Sequence, residues 1–107
     1  MRIWDRIHPR KLCSKHLLGE HRELHAIWSI LSKGKTGYRN HPEVKRWEGC
    51  LGALYFRHEL LCYEFSCRGY NHASPLVPEL KASPEMPLPW DDQERALVGK
   101  GCNCDIG

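Results

Sequence analysis

The strongest helical pattern in the chain lies at residues 11–32, KLCSKHLLGEHRELHAIWSILS. Its apolar side chains recur at steps of three and four residues, and Gly34 follows shortly afterwards, as at many helix C-termini. The apolar stripe consists of Leu17, Leu24, Ile27, Trp28 and Leu31. Lys15, Arg22 and His25 fall on the opposite side, so the segment predicts an amphipathic helix with one basic face.

Two further helices are expected after this one. Residues 42–47 suit a short helix, because Pro42 fits a first helical turn and Asn40 or His41 can cap it. A longer helix ends near Gly69, and its apolar side consists of Leu54, Tyr55, Leu61, Cys62 and Phe65. No segment alternates polar and apolar residues between hairpin turns. We therefore expect an all-α fold, a compact bundle of about three helices.

The C-terminal third has a different character. Five prolines lie between positions 75 and 89, which excludes a continuous helix or a central strand there. We expect a helical domain at residues 1–72 and a proline-rich tail at residues 73–107. The tail is predicted to be extended, wrapping the domain or partly disordered, with Trp90 as its anchor and one or two helical turns at residues 91–97.

The overall composition excludes several classes of protein. The 107 residues are 41% hydrophobic and 27% charged, which is ordinary for one small globular domain. No apolar run approaches the ~20 residues that cross a bilayer, and the opening MRIWDR lacks the features of a secretion signal. We expect a cytoplasmic monomer without membrane contact. None of the six cysteines forms a Cys-x-x-Cys pair, so free thiols are favoured over a structural zinc site.

The formal charge of +3 is divided unequally along the chain. Residues 1–47 carry eleven lysines and arginines against four acidic residues, a net charge of +7, and the remainder carries −4. Trp4, Trp28 and Tyr38 are interspersed among these cations, as in surfaces that combine phosphate contacts with base stacking. This pattern is typical of a DNA-binding surface, but the charges alone do not separate it from a second interpretation. The alternative is a solvated basic face around core aromatics.

Three polar side chains share one side of the first helix, since His16, Glu20 and Glu23 are separated by four and three residues. Carboxylates so near an apolar stripe are costly unless they are paired or functional. We expect Glu20 to form a salt bridge with Arg57 or Arg68. Glu23 is the candidate for acid–base or electrostatic work on an anionic substrate. A metal bound by the three side chains, or by the cysteines, is an alternative.

Other recognised chemical motifs are missing from the sequence. It contains no P-loop, no Gly-x-Gly-x-x-Gly and no Gly-x-Ser-x-Gly, which argues against nucleotide cofactors and serine-hydrolase chemistry. His21 and His25 are four residues apart, but the glutamate between them is offset by one position from the zinc-protease motif. We interpret both as surface histidines near phosphate. Neither a cofactor nor a metal is predicted.

Three separated motifs combine in a way that one enzyme family shares. They are Met1-Arg2-Ile3, His16-Leu17-x-x-Glu20-x-Arg22-Glu23-Leu24 and Arg68-Gly69-Tyr70-Asn71. This combination resembles pyrimidine-dimer DNA glycosylases of the phage endonuclease V type. The loop at residues 37–42, GYRNHP, is similar to a motif in the bacterial branch of that family. The resemblance covers residues 1–72, about two thirds of the chain.

The resemblance implies a compact all-α enzyme that excises damaged pyrimidines, such as cyclobutane dimers, and then cleaves the abasic strand. In that family the α-amino group of the first residue attacks the sugar C1′ to form an imine, and a helix glutamate stabilises the cationic intermediate. The corresponding groups here are the amine of Met1 and the carboxylate of Glu23. Arg2 and Arg22 would position the DNA. Arg2 should also block removal of Met1, which leaves that residue as the reactive terminus.

The expected partner is double-stranded DNA that contains a lesion or an abasic site, with the target nucleotide flipped out of the stack. The predicted DNA-binding residues are Arg2, His16, Arg22, Lys33, Lys35, Tyr38 and Arg39. Ala26 stands where the phage enzyme has another helix arginine, so the cations after residue 32 are expected to supply part of the grip. A non-catalytic DNA-binding module with the same fold is the alternative from a different class.

Overall fold

The computed structural model describes residues 2–34, 37, 40–70, 76, 87, 91–100 and 104. Within them the chain forms a 3₁₀ helix, Pro9–Lys11, and four α-helices, which are α1 Ser14–Lys33, α2 Pro42–Arg46, α3 Leu51–Cys67 and α4 Gln93–Val98. These residues contain no strand, so the predicted all-α class is confirmed. None of the described helices combines the length and apolar character that a membrane crossing requires.

Helix α1 starts after an extended break instead of continuing from the 3₁₀ helix. Leu12 and Cys13 have ψ angles of 139° and 163°, outside the helical region. The helix ends at Gly34, whose φ is 66° and whose N–H donates to the Ile30 carbonyl. Glycine adopts this left-handed geometry without a Cβ clash, so it terminates the helix as predicted. The apolar stripe faces the core, where Leu17 is fully buried.

A buried ion-pair network holds the N-terminal segment against α2. The Arg46 guanidinium donates to Glu43 Oε1 at 2.6 Å and to Asp5 Oδ1 at 2.7 Å. Trp47 Nε1 donates to the same glutamate oxygen at 2.9 Å. His41 caps α2 by accepting from the Glu43 N–H, which identifies one of the two predicted caps. Because buried charges are tolerated only when they are paired, the network fixes the path of the chain before α1.

Helix α3 packs against α1 and completes the core. Leu54, Leu61 and Phe65 on this helix have no exposed surface. After the helix, Gly69 has a φ of 77° and the Tyr70 N–H donates to the Phe65 carbonyl at 2.8 Å. The prediction of a helix end near Gly69 is therefore confirmed.

The tryptophans of the basic half belong to the core. Trp4 is 3% exposed and Trp28 is 7% exposed, and the Trp28 ring centre lies 6.1 Å from that of Tyr55 on α3. The hypothesis that these two rings stack on DNA bases is wrong, because a domain this small uses its largest apolar side chains to fill its interior. Tyr38, the third aromatic of that hypothesis, lies outside the described residues.

The C-terminal part returns to the N-terminal segment. Leu97 on α4 is fully buried, and Gln93 accepts from the Arg6 N–H at 2.9 Å and donates to Asp5 Oδ1 at 2.8 Å. The helical turns predicted at residues 91–97 are confirmed by α4. Trp90 lies outside the described residues, as does most of the predicted tail.

Candidate active site

Glu23 on α1 is hydrogen-bonded to the start of the chain. Its Oε2 accepts from the Arg2 backbone N–H at an N···O distance of 2.5 Å. An ionised acceptor makes such a bond short and strong. Glu23 is only half-buried, so the carboxylate remains within reach of solvent. Met1, the predicted nucleophile, lies outside the described residues.

A cleft of about 380 Å³ includes both partners of this hydrogen bond in its wall. The volume falls within the range of sites that hold small ligands. Four of the lining residues are cations, namely Arg2, Lys15, Arg22 and Lys100. The others are Trp4, His16, Leu18, Gly19, Glu20 and Glu23. The cleft thus brings together four of the predicted site residues, Arg2, His16, Arg22 and Glu23.

The two carboxylates of the cleft have different environments. Both oxygens of Glu20 are engaged by Arg57, at 2.6 Å to Nε and 2.9 Å to Nη2, and the two side chains are 0% and 4% exposed. This salt bridge confirms the predicted partner and neutralises Glu20. Glu23 instead stands among the cations of the cleft. The field in the cleft is therefore positive around one accessible carboxylate, which suits an anionic substrate.

The Arg2 side chain forms the edge of the cleft and links it to the C-terminal segment. Its two terminal nitrogens lie 3.0 Å and 3.1 Å from the two oxygens of Asp91. The guanidinium also lies 4.4 Å from the centre of the Trp4 ring. Paired and stacked contacts of this kind hold an arginine in one orientation. Arg2 is thereby fixed with its backbone N–H directed at Glu23.

His16 lies in the same wall and contacts two thiols. Its Nδ1 is 3.3 Å from Cys13 Sγ and 3.4 Å from Cys104 Sγ. Burial, together with the charges of Lys100 and Lys15, lowers the pKa of His16, and the opposing effect of Glu23 is smaller. The imidazole is therefore neutral at neutral pH. Cys13, His16 and Cys104 form a group that could hold a metal ion.

The hypothesised metal set of His16 with Glu20 and Glu23 does not come together as a site. Both Glu20 oxygens are committed to Arg57. Within the described part of the chain, the donor atoms that gather around His16 are sulfurs instead of carboxylates.

Lys33, another of the predicted DNA-binding residues, is not part of the cleft wall. Lys33 is exposed at the C-terminal end of α1, ten residues and about 15 Å along the helix axis from Glu23. Lys35, Tyr38 and Arg39 lie outside the described residues. Their role in DNA binding stays a prediction.

Sequence reasoning missed two cations of the cleft. The sequence pattern puts Lys15 on the basic face of the first helix, one residue before His16, but its part in the site depends on the path of the N-terminal segment. Lys100 follows α4, and its place in the cleft could not be predicted because no local sequence pattern relates position 100 to position 23. Only the packing of α4 against the N-terminal segment brings it to this wall.

A second cluster of titratable side chains lies away from the cleft, between α1 and α3. Nε2 of His58 is 3.2 Å from Nε2 of His21 and 3.1 Å from Nε2 of His25. His21 and His58 are 2% and 1% exposed. The interpretation of His21 and His25 as surface histidines near phosphate is therefore wrong, because the helix turns both side chains toward α3.

Comparison of the sequence with known proteins identifies the family of this chain. A sequence profile described as pyrimidine dimer DNA glycosylase matches residues 1–77, which cover the N-terminal segment, α1, α2 and α3. No curated protein and no solved structure matches the chain. The matched region contains every predicted site residue, including Glu23 and the two arginines of the cleft. On this match, the chain belongs to the pyrimidine dimer DNA glycosylase family.

Proposed function

We propose that this protein excises a damaged pyrimidine from double-stranded DNA and then cleaves the strand at the abasic site, with the α-amino group of Met1 as nucleophile and Glu23 as the assisting carboxylate. The observation that carries the proposal is the hydrogen bond from the Arg2 N–H to Glu23 Oε2. Three covalent bonds separate that nitrogen from the α-amine of the preceding residue. A carboxylate held there is suited to serve the same sugar carbon as the amine.

An α-amine is a suitable nucleophile for this chemistry. Its pKa is about 7.7–8.0, well below that of a lysine, so a useful fraction is neutral at physiological pH. No additional base is then needed to activate it.

The reaction has three steps, namely displacement of the base, opening of the sugar ring and elimination of the phosphate. The amine nitrogen bonds to C1′ as the glycosidic C1′–N bond breaks, and that electron pair leaves with the pyrimidine. One proton passes from the nitrogen to O4′ as the C1′–O4′ bond opens with its electron pair on O4′. This gives a protonated imine, whose positive charge lies next to Glu23. Removal of a C2′ proton then expels the 3′ phosphate by β-elimination, and Glu23 is the base that takes this proton.

Binding rests on the charges of the cleft. Arg22 and Lys15 are exposed on α1, and Lys100 is exposed after α4, so all three can reach phosphate oxygens without breaking a buried ion pair. Phosphate contacts of this type supply most of the affinity of a protein for DNA. The target nucleotide must leave the base stack to bring C1′ to the amine.

The test is covalent trapping. Untagged protein is incubated with a duplex that contains one abasic site, and borohydride reduces any imine to a stable cross-link. We expect a cross-linked species with the chain as purified, and none after an extension is added before Met1. A duplex with a cyclobutane dimer should also trap, because excision precedes the imine.

Two outcomes would overturn the proposal. Absence of trapping by the untagged chain, under conditions in which it binds the duplex, would favour the non-catalytic DNA-binding alternative. Trapping that persists after the N-terminus is extended would place the nucleophile on a lysine side chain instead.

A further inference from the structure

We infer that the buried histidine cluster between α1 and α3 is a binding site for a divalent transition-metal ion of the zinc type, held by Nε2 of His21, His25 and His58. The site lies outside the cleft, and the proposed glycosylase chemistry does not use it. The ion would join the helix that carries Glu23 to the helix that carries Arg57.

The three histidine ligands and a neighbouring cysteine come as two pairs with helical spacing. His21 and His25 are four residues apart on α1, and His58 and Cys62 are four residues apart on α3. Side chains at this spacing lie one above the other on a helix face. Because the two helices pack together, the pairs face each other across their contact.

The distances between the nitrogens fit one shared ion. The contacts from His58 Nε2 to the other two Nε2 atoms are 3.2 Å and 3.1 Å. Each of the three histidines offers one ring nitrogen within 4.8 Å of those of the other two. A tetrahedral zinc ion with bonds of about 2.0–2.1 Å places two nitrogen ligands about 3.3 Å apart. The plane of the His25 ring is turned 73° from that of His21 and 76° from that of His58, so its ring does not stack on either.

Hydrogen bonding among neutral imidazoles does not account for this convergence. Each ring nitrogen carries either one proton or one in-plane lone pair. His58 Nε2 faces two other imidazole nitrogens, so it can make a good hydrogen bond with one of them only. A cation at the centre accepts all three lone pairs at once.

The surroundings of His58 match those of a metal ligand. Its other ring nitrogen, Nδ1, lies 3.1 Å from Glu59 Oε1. A proton on Nδ1 donated to that carboxylate makes Nε2 the nitrogen that carries the lone pair, which is the arrangement that commonly orients ligand histidines. Cys62 Sγ lies 3.7 Å from His58 Nε2 and 4.0 Å from His21 Nε2. Nitrogen and sulfur donors select zinc and its neighbours over magnesium or calcium.

The test uses the full chain after dialysis against a chelator. Calorimetric titration with zinc chloride should show stoichiometric binding, and nuclear magnetic resonance of nitrogen-labelled histidines should show the Nε2 signals of His21, His25 and His58 shifting together. Glu59→Gln should weaken the affinity about 10-fold or more, because it removes the partner of Nδ1. Glu59 is exposed, so this variant does not disturb the core. Glu48→Gln, an exposed site with the same loss of charge, should bind as the original does.

Several results would overturn the inference. They are the absence of zinc binding, zinc shifts confined to the other histidines, and loss of binding in Cys13→Ser while Glu59→Gln binds normally. The last would assign the metal to the Cys13, His16 and Cys104 group. His25→Gln, which alters a half-buried ligand, should bind at least 10-fold more weakly and keep its helical circular dichroism, whereas unchanged binding would exclude the three-histidine site.

Discussion

The Glu23 carboxylate accepts a hydrogen bond from the Arg2 backbone N–H at 2.5 Å, so a side chain in the middle of α1 is tied to the beginning of the chain. Arg2 is itself held by Asp91 and by the Trp4 ring. The relationship therefore depends on three separated segments. It couples the position of the candidate catalytic carboxylate to the packing of the whole domain.

Replacing Glu23 tests its proposed chemical role. Glu23→Gln keeps the side-chain shape and can still accept from the Arg2 N–H, but it cannot take a proton or stabilise a cation. We expect DNA binding within a few-fold of the original and single-turnover cleavage of an abasic duplex lowered by about 10²–10⁴. Glu48→Gln should cleave normally. Unchanged cleavage by Glu23→Gln would remove this residue from the mechanism.

Arg22 tests the role of the cleft in DNA binding. Arg22→Gln removes one exposed cation from the wall. If it contacts a phosphate, the affinity for any duplex should fall, and the slope of log affinity against log salt should become shallower by about one unit. Lys45→Gln removes an exposed cation that does not line the cleft and should leave the slope unchanged. Equal slopes for Arg22→Gln and the original protein, measured by fluorescence anisotropy, would contradict this assignment.

The buried ion pair of Glu20 and Arg57 is expected to contribute strongly to the stability of the fold. Glu20→Gln leaves the Arg57 guanidinium, 4% exposed, without its counter-charge. We expect the free energy of unfolding to fall by about 3–5 kcal/mol in urea titrations. Glu64→Gln disrupts the pair with Arg68, whose side chains are more exposed at 12% and 21%, and should cost about 1 kcal/mol or less. Similar losses in the two variants would mean that burial does not decide the strength of these pairs.

The environment of His16 should make the stability of the metal-free protein depend on pH. Burial and the charges of Lys100 and Lys15 lower its pKa in the folded chain, whereas the unfolded chain titrates near ~6.5. The unfolded state therefore binds the proton more readily. Neutral His16 therefore contributes its full stabilisation above the pKa of the unfolded chain. This stabilisation is lost as the pH falls through the lowered pKa of the folded chain.

Magnetic resonance titration of the His16 ring measures this shift directly. Lys100→Gln should move the pKa of His16 upward, and Glu23→Gln should move it downward, because the two charges act in opposite directions. A shift of the same sign in both variants would show that these charges do not act on the ring as described.

The helices could be predicted from local patterns. Residues 11–32 show the periodicity of an amphipathic helix, and Gly34 and Gly69 mark helix ends because a left-handed residue suits glycine. The pairing of Glu20 with an arginine also followed, since a carboxylate near an apolar stripe requires one. The family motifs alone indicate Glu23.

The side-chain environments were less predictable. Charge and spacing alone do not distinguish a basic surface with stacking aromatics from a basic surface over an aromatic core, and Trp4 and Trp28 proved to be core residues. The spacing of His21 and His25 likewise shows that they share a helix face. It does not show what that face contacts. Which face is buried depends on the partner element, here α3.

The sequence by itself determined the helical class, the helix ends and the family of this protein, because these depend on local backbone preferences and on short motifs. Only the tertiary structure decided that Arg2 lies against Glu23, that Lys100 joins the cleft, and that His58 meets two histidines of α1. Each of these contacts joins residues more than twenty positions apart. Packing of the whole core selects such pairs, and no local pattern in the chain specifies them.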